Sequence, residues 1–179
     1  RETDQTTPVV LMGYLNPVEV IGYEKFVAYA KDCGVDGVLL VDLPPEASQQ
    51  LGEVLKKNGM DQIFLLAPTS TDQRIQHVVN QASGFVYYVS LKGVTGAATL
   101  DTAEAAARIA KIKSKTSVPV GVGFGISDAA SAKAMGQVAD AVIVGSAFVK
   151  SFATLPAVEA VQQTVNKVKE LRAALDELV

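Results

Sequence analysis

Six short apolar runs, separated by longer segments with helical periodicity, constrain the fold of this chain more than any other feature of its sequence. The runs are rich in Val, Ile, Leu and Tyr, and they lack the alternation of a half-exposed strand. Strands that are buried on both faces have this composition, which is typical of parallel sheets. The runs cover residues 8–12, 37–41, 62–66, 85–90, 118–122 and 139–144.

The segments between the runs each carry one apolar face, as amphipathic helices do. In the last and longest segment, apolar residues recur every three or four positions from Val158 to Leu178, which predicts a long amphipathic helix. Residues 70–72, 101–104 and 127–128 carry side chains that can cap the first N–H groups of a helix. Gly34 and Gly59 stand where a helix should end, whereas Gly22 weakens the first helical segment.

Strands that alternate with helices predict an α/β fold with parallel strands and right-handed crossovers. A barrel and a doubly wound sheet both fit this pattern. Residues 34–42 loosely resemble residues 138–146, and each segment places an acidic residue before a buried strand, which favours repeated β/α units. No linker or low-complexity segment interrupts the sequence, so we expect a single domain over residues 1–179.

Composition and charge narrow the classes of function. The net charge is −3 and no run of basic residues occurs, so neither nucleic acid nor an anionic membrane is an expected partner. Cys33 is the single cysteine, which excludes an internal disulfide and a cysteine-based zinc cluster. No apolar stretch reaches the roughly 18 residues of a membrane span, and the polar residues 1–7 do not resemble a signal peptide. We therefore expect a cytoplasmic protein.

Ligands of parallel α/β folds bind in the loops that follow the strands, and three of these loops, after the fourth, fifth and sixth runs, are rich in glycine and small polar residues. The fifth run leads into Gly121-Val-Gly-Phe-Gly-Ile-Ser-Asp, and the sixth leads into Val144-Gly-Ser-Ala. Glycine lets a ligand approach the backbone, and N–H groups at the start of the next helix favour an anion. Either loop alone could be a tight strand-to-helix turn, but two on consecutive strands predict one phosphate site.

Other strand ends carry weaker signals. Residues 91–100, after the fourth run, could close over a substrate or form an uninvolved surface connection. Asp42, at the end of the second run, could contact substrate, hold a loop or cap a helix, and the last two roles are favoured. Tyr87 could line a pocket or fill the core. For His77, inside a predicted helix, we expect a solvent-facing or packing role.

Together these segments resemble the tryptophan synthase α subunit family. The Ser-x-x-Gly-Val-Thr-Gly segment is the most family-specific of the matching motifs, which lie between residues 8 and 150. They are Pro8-Val-Val-Leu-Met-Gly-Tyr-Leu-Asn-Pro17, Gly34-Val-Asp-Gly-Val-Leu-Leu-Val-Asp-Leu-Pro44, Leu66-Ala-Pro68, Tyr87 to Gly96, Gly123-Phe-Gly-Ile-Ser127 and Gly145-Ser-Ala147. The resemblance implies a (β/α)8 TIM barrel, of which this chain supplies six β/α units and a long C-terminal helix, so that the barrel is incomplete.

The resemblance also implies a lyase of tryptophan biosynthesis, which cleaves indole-3-glycerol phosphate to indole and glyceraldehyde 3-phosphate by a retro-aldol reaction. In the family this subunit needs no cofactor and no metal, and it delivers indole to a β subunit, which carries pyridoxal phosphate, in an α2β2 complex. By motif, the substrate phosphate would lie against Gly96, Phe124, Gly125, Gly145 and Ser146. Supporting roles would fall to Asp42, to Tyr87 at the indole end and to Thr95, with Asn16 and Pro44 facing the β subunit.

One departure from the family pattern bears on activity. The two principal carboxylates of the family come from its first two strands, which we expect to precede Arg1. Proton transfer in a retro-aldol reaction needs such groups, and no substitute pair stands at the strand ends of this chain. We therefore expect the full-length protein to be an enzyme and the present chain alone to be inactive.

Two alternatives remain open at this point. One is a non-catalytic module that binds phosphate or docks to a β subunit. The other is a different phosphate-binding TIM-barrel enzyme, against which the Gly-Val-Thr-Gly loop and the turn at residues 42–44 both argue.

Overall fold

Strands alternate with helices throughout residues 2–90, 102–123 and 125–178, which a computed structural model of the chain describes. The strands are β1 (Val10–Gly13), β2 (Gly37–Leu40), β3 (Asp61–Leu66), β4 (Val86–Val89), β5 (Val120–Gly123) and β6 (Ala141–Ile143). The helices are α1 (Leu15–Ile21), α2 (Tyr23–Asp32), α3 (Gln49–Lys57), α4 (Asp72–Gln81), α5 (Thr102–Lys113), α6 (Ala129–Gly136), α7 (Ser146–Thr154) and α8 (Ala157–Asp176). A short 3-10 helix, Pro45–Ala47, precedes α3. Each predicted apolar run overlaps a strand, so the predicted alternation is confirmed.

Contacts between residues divide the chain into two compact units, and the first comprises Arg1–Leu66 and Ser70–Tyr87. In this unit β1, β2 and β3 neighbour one another in chain order. The pairs β1–β2 and β2–β3 are parallel, with Val10 opposite Gly37 and Gly37 opposite Asp61. Neighbouring strands therefore begin at the same level, and their C-terminal ends share one edge of the sheet.

The core of the first unit forms between β2 and the helices α2 and α3. Val27 of α2 and Leu55 of α3 are fully buried and pack in one cluster with Val38 of β2. These residues belong to the apolar faces that the helical periodicity predicts. Gly22 separates α1 from α2 because its backbone has a φ of 88°, a conformation that favours glycine.

A repeated carboxylate contact underlies the similarity between residues 34–42 and 138–146. Asp36 Oδ2 accepts a hydrogen bond of 2.7 Å from the Val9 N–H, in the first unit. In the second unit, Asp140 Oδ2 accepts one of 2.8 Å from the Val120 N–H. Each carboxylate ties the start of its own strand to the start of the preceding strand, which supports the parallel register.

The second unit comprises Ala67–Thr69 and Tyr88–Val179. Here β4, β5 and β6 neighbour one another in chain order, and β5 runs parallel to β6 with Gly123 opposite Ile143. Helix α8 packs against α6 and α7. The approach to α6 is close at Gly136, where an added Cβ would lie 2.5 Å from Leu175 Cδ2. The expectation of a single domain over residues 1–179 stays a prediction.

The predicted long amphipathic helix is confirmed as α8 but is buried only in part, and the expected burial of β1 is wrong. Along α8, Leu171 is 5% exposed, but Val158 is 84% exposed and the other valines of the stripe, Val161, Val165 and Val168, are also exposed. Only the C-terminal part of that stripe meets α6, since periodicity defines a shared face but not its partner. Strand β1, predicted to be buried on both faces, has three exposed residues because it is the outermost strand of its unit.

Candidate functional site

The two glycine-containing loops of the second unit start side by side. Strand β5 ends at Gly123 and β6 ends at Ile143, and these two residues are paired in the parallel register. The backbone therefore leaves both strands at the same edge of the sheet, towards Gly125 and Gly145. This confirms the prediction that the two loops are neighbours in the structure.

The loop after β5 leads into a firmly capped helix. Gly125 has a φ of 76°, and the next residue, Ile126, is buried. Asp128 is the N-cap of α6, and its Oδ1 accepts a hydrogen bond of 2.8 Å from the Ser131 N–H. This backbone hydrogen bond and, to a smaller extent, a hydrogen bond from the Ser131 hydroxyl lower the pKa of the Asp128 carboxyl below its usual range. The glycine turn is thus held at its C-terminal end.

The loop after β6 is open to a ligand. Gly145 is the N-cap residue of α7, and no side chain caps this helix. Within the described ranges, a Cβ added to Gly145 would meet no atom within 4 Å. Gly145 and Ser146 are exposed, and the first N–H groups of a helix have no partner inside the helix. Those N–H groups and the Ser146 hydroxyl can therefore donate hydrogen bonds to an anion.

Ser90 contacts the end of β5, where the first glycine-containing loop starts, and the sequence assigned it no role. Its N–H and its hydroxyl both donate to the carbonyl oxygen of Gly123, at 2.9 and 3.0 Å. Ser90 follows β4 and Gly123 ends β5, so the contact joins the ends of two neighbouring strands. The sequence signal was the position of Ser90 at the start of the most family-specific motif.

Asp42, in the first unit, holds a loop. Its Oδ1 accepts a hydrogen bond of 2.7 Å from the Leu15 N–H, at the start of α1. The carboxylate therefore links the segment after β2 to the segment after β1. Asn16 and Pro44 lie on these two segments and are both exposed.

A second contact fixes the segment after β2. Glu46 of the 3-10 helix accepts a hydrogen bond of 3.1 Å from Arg74 and lies 3.2 Å from His77 Nδ1, and both of these residues belong to α4. The pKa of the Glu46 carboxyl is lowered, chiefly because the carboxylate accepts a hydrogen bond from its own backbone N–H. Partial desolvation opposes this effect, whereas His77 and Arg74 reinforce it. His77 is partly exposed, in agreement with the role predicted for it.

Tyr87 lies on β4 and is half-buried, while its neighbour Tyr88 is fully buried. Burial raises the pKa of the Tyr87 phenol, so the side chain is uncharged at neutral pH. An uncharged, partly accessible phenol ring suits contact with an aromatic ligand.

Three of the predicted site residues, Thr95, Gly96 and Phe124, lie outside the described residues. In the part of the chain that the structure describes, no group of His, Cys, Asp and Glu side chains could hold a metal ion. Of the helices in those same ranges, none has the length and apolar character needed to cross a bilayer.

Comparison with known sequences gives a match over the full chain. The family model described as "Tryptophan synthase alpha chain" matches residues 1–179. A relative of that name from Acinetobacter baumannii is 86% identical over 179 residues, which are 100% of this chain and 67% of the relative. The chain thus spans about two thirds of the length of such relatives.

Solved structures show the same similarity in three dimensions. The tryptophan synthase alpha chain from Legionella pneumophila has a TM-score of 0.85 and 36% identity, covering 99% of this chain and 66% of that chain. A chain from the tryptophan synthase α2β2 complex of Pyrococcus furiosus has a TM-score of 0.86 and 36% identity, and the match covers 97% of this chain and 69% of that chain. The predicted TIM-barrel family, with part of the barrel represented in this chain, is confirmed by these similarities.

Proposed function

The chain belongs to the tryptophan synthase alpha chain family, and from that premise we propose that it forms the phosphate-binding part of a lyase for indole-3-glycerol phosphate. The products of this cleavage in tryptophan biosynthesis are indole and glyceraldehyde 3-phosphate. The observation that carries the proposal is the adjacent position of the two glycine-containing loops after β5 and β6.

The phosphate group of the substrate would bind between these loops. Ser146 offers a hydroxyl and an N–H in the first turn of α7, where the helix dipole favours negative charge. Gly125 and Gly145 leave the backbone accessible on either side. Gly96 and Phe124, which lie outside the described residues, complete the proposed set.

The indole end of the substrate would contact Tyr87, whose ring is uncharged at neutral pH. Thr95, in the loop after β4, would help to organise the site around the bound substrate. Asp42 would act by holding the loops, since its carboxylate already accepts a hydrogen bond from the Leu15 N–H.

The retro-aldol step needs a proton donor to the indole ring and a base for the substrate hydroxyl. Among the described residues, Asp42 is the carboxylate that most closely follows the C-terminal end of a strand in sequence, and it is engaged with the backbone. We therefore expect the principal acid and base to come from the part of the relatives' sequence that this chain does not span. On this proposal the chain alone binds substrate without turnover, and the subunit uses neither a cofactor nor a metal.

A β subunit is the proposed protein partner, as in the α2β2 complex that contains the similar chain from P. furiosus. The exposed residues Asn16 and Pro44 would face it, and the Asp42–Leu15 hydrogen bond holds their two segments together. Cleavage of indole-3-glycerol phosphate and the use of the released indole by the β subunit would then both take place in the cytoplasm.

A calorimetric titration with indole-3-glycerol phosphate and with inorganic phosphate tests the phosphate site. Gly145→Ala should bind both ligands about tenfold more weakly, because its methyl group occupies space next to helix N–H groups that donate to the anion. Folding should be unaffected, since the added Cβ has no described neighbour within 4 Å.

The control is Thr154→Ala at the other end of α7, where the hydroxyl donates to the Lys150 carbonyl at 2.9 Å. This variant should bind both ligands like the parent chain. Absence of phosphate binding by the parent chain, or equal binding by Gly145→Ala, would contradict the proposed function.

A further inference from the structure

Ser90 makes an unusual double contact at the end of β4. Two donors of this one residue, the backbone N–H and the side-chain hydroxyl, meet the same acceptor, the Gly123 carbonyl oxygen, at 2.9 and 3.0 Å. The N–H contact alone continues the pattern of a parallel ladder. The hydroxyl adds a contact that the ladder does not require, and it is partly buried.

The acceptor occupies a sensitive place in the backbone. Gly123 is the last residue of β5, has no side chain to restrain it and is itself buried. Beyond it, Gly125 has a φ of 76° and the chain then enters the Asp128 cap of α6. The turn is therefore held at its far end by the cap and at its near end by Ser90.

We propose that Ser90 is a positioning residue of the phosphate site, which acts by fixing the Gly123 carbonyl so that the turn through Gly125 presents its backbone to the phosphate. The inference rests on the proposed function and deepens it by adding a residue that need not touch the substrate. Ser90 orients backbone donors before the ligand arrives, and preorganised donors bind an anion more tightly than mobile ones.

A purely structural role would give a different result. Another serine of the second unit, Ser114, also donates its hydroxyl to a backbone carbonyl, that of Lys111, at 2.8 Å. Ser114 follows α5 and precedes β5, whereas the two glycine loops follow the C-terminal ends of β5 and β6. Loss of its hydroxyl removes a comparable hydrogen bond without affecting the turn through Gly125, so Ser114→Ala is a matched control.

The test is an NMR titration of the 179-residue chain with inorganic phosphate and, separately, with indole, for the parent, Ser90→Ala, Ser90→Thr and Ser114→Ala. Ser90→Ala should bind phosphate about three- to tenfold more weakly, the loss expected for one hydrogen bond. Its affinity for indole should be unchanged. Ser90→Thr keeps the hydroxyl and should restore most of the phosphate affinity, and Ser114→Ala should match the parent.

The possible results separate this inference from the function on which it rests. If the parent chain binds no phosphate, both are overturned. If the parent binds phosphate and Ser90→Ala binds it equally well, the positioning role of Ser90 is wrong while the phosphate site stands. If Ser90→Ala weakens phosphate and indole binding alike, or Ser114→Ala weakens phosphate binding as much, the effect is general destabilisation and the inference fails.

Discussion

Helix α8 offers a quantitative test of the packing, because its apolar stripe is buried at one end and exposed at the other. Leu171 is 5% exposed, whereas Val158 is 84% exposed. Leu171→Ala removes three carbon groups, worth about 0.8 kcal/mol each on burial, and leaves a cavity that adds to the cost. We expect a loss of about 3 kcal/mol in the free energy of unfolding. Val158→Ala should change it by less than about 0.5 kcal/mol, since the side chain is already in water and alanine favours the helix.

Urea unfolding followed by far-ultraviolet circular dichroism is the suitable assay, because the chain contains no tryptophan. With a typical slope of about 2 kcal/mol per molar urea, Leu171→Ala should lower the midpoint by roughly 1.5 M. The midpoint of Val158→Ala should stay within about 0.3 M of the parent. Equal shifts for the two variants would refute the division of the α8 stripe into a buried C-terminal part and an exposed N-terminal part.

Substitutions at three further residues test individual contacts and one backbone geometry. Partial burial acts to raise the pKa of Asp140, but the hydrogen bonds from Lys113 and the Val120 N–H prevail and lower it below 3.8. Asp140→Asn should therefore lower the free energy of unfolding by about 1 kcal/mol at neutral pH, a value that allows for the partial exposure of the pair. Urea unfolding at several pH values should show this difference between the parent and the variant vanish as pH falls through the lowered pKa. Asp42→Ala should lower the thermal midpoint of unfolding by about 2 °C, and Asp42→Asn, which keeps an acceptor for the Leu15 N–H, should lower it less. Equal midpoints for the parent and Asp42→Ala would contradict a stabilising Asp42–Leu15 hydrogen bond. Gly125→Ala places a methyl group on a backbone with a φ of 76° and should lower the free energy of unfolding in urea by about 1–2 kcal/mol. An unchanged urea midpoint would contradict the positive φ at this residue.

Local sequence signals predicted the elements and the candidate loops well, because those signals act within a few residues. The cap at Asp128 and the positive φ of Gly34, Gly59 and Gly125 follow from residue types at a helix end or turn. The neighbouring positions of Gly125 and Gly145 followed from a single assumption, that the two strands are adjacent and parallel.

Contacts that depend on register or on a partner surface were not predictable in the same way. The Ser90 hydroxyl reaches Gly123 only because of the alignment of β4 with β5, which a single sequence does not encode locally. The loop-holding role of Asp42 was favoured from the sequence, but its donor, the Leu15 N–H, became known only from the structure. The exposure of Val158 could not be predicted, because periodicity shows which residues share a face and not what covers that face.

The most direct test of the central claim measures indole release and substrate binding in the same samples. The 179-residue chain would be assayed with indole-3-glycerol phosphate, alone and with a β subunit, beside the longer relative from A. baumannii. The account predicts that the chain binds the substrate through its phosphate and releases no indole, while the longer relative does both. Indole release by the chain at a rate typical of an enzyme, or failure to bind the substrate at all, would contradict the account.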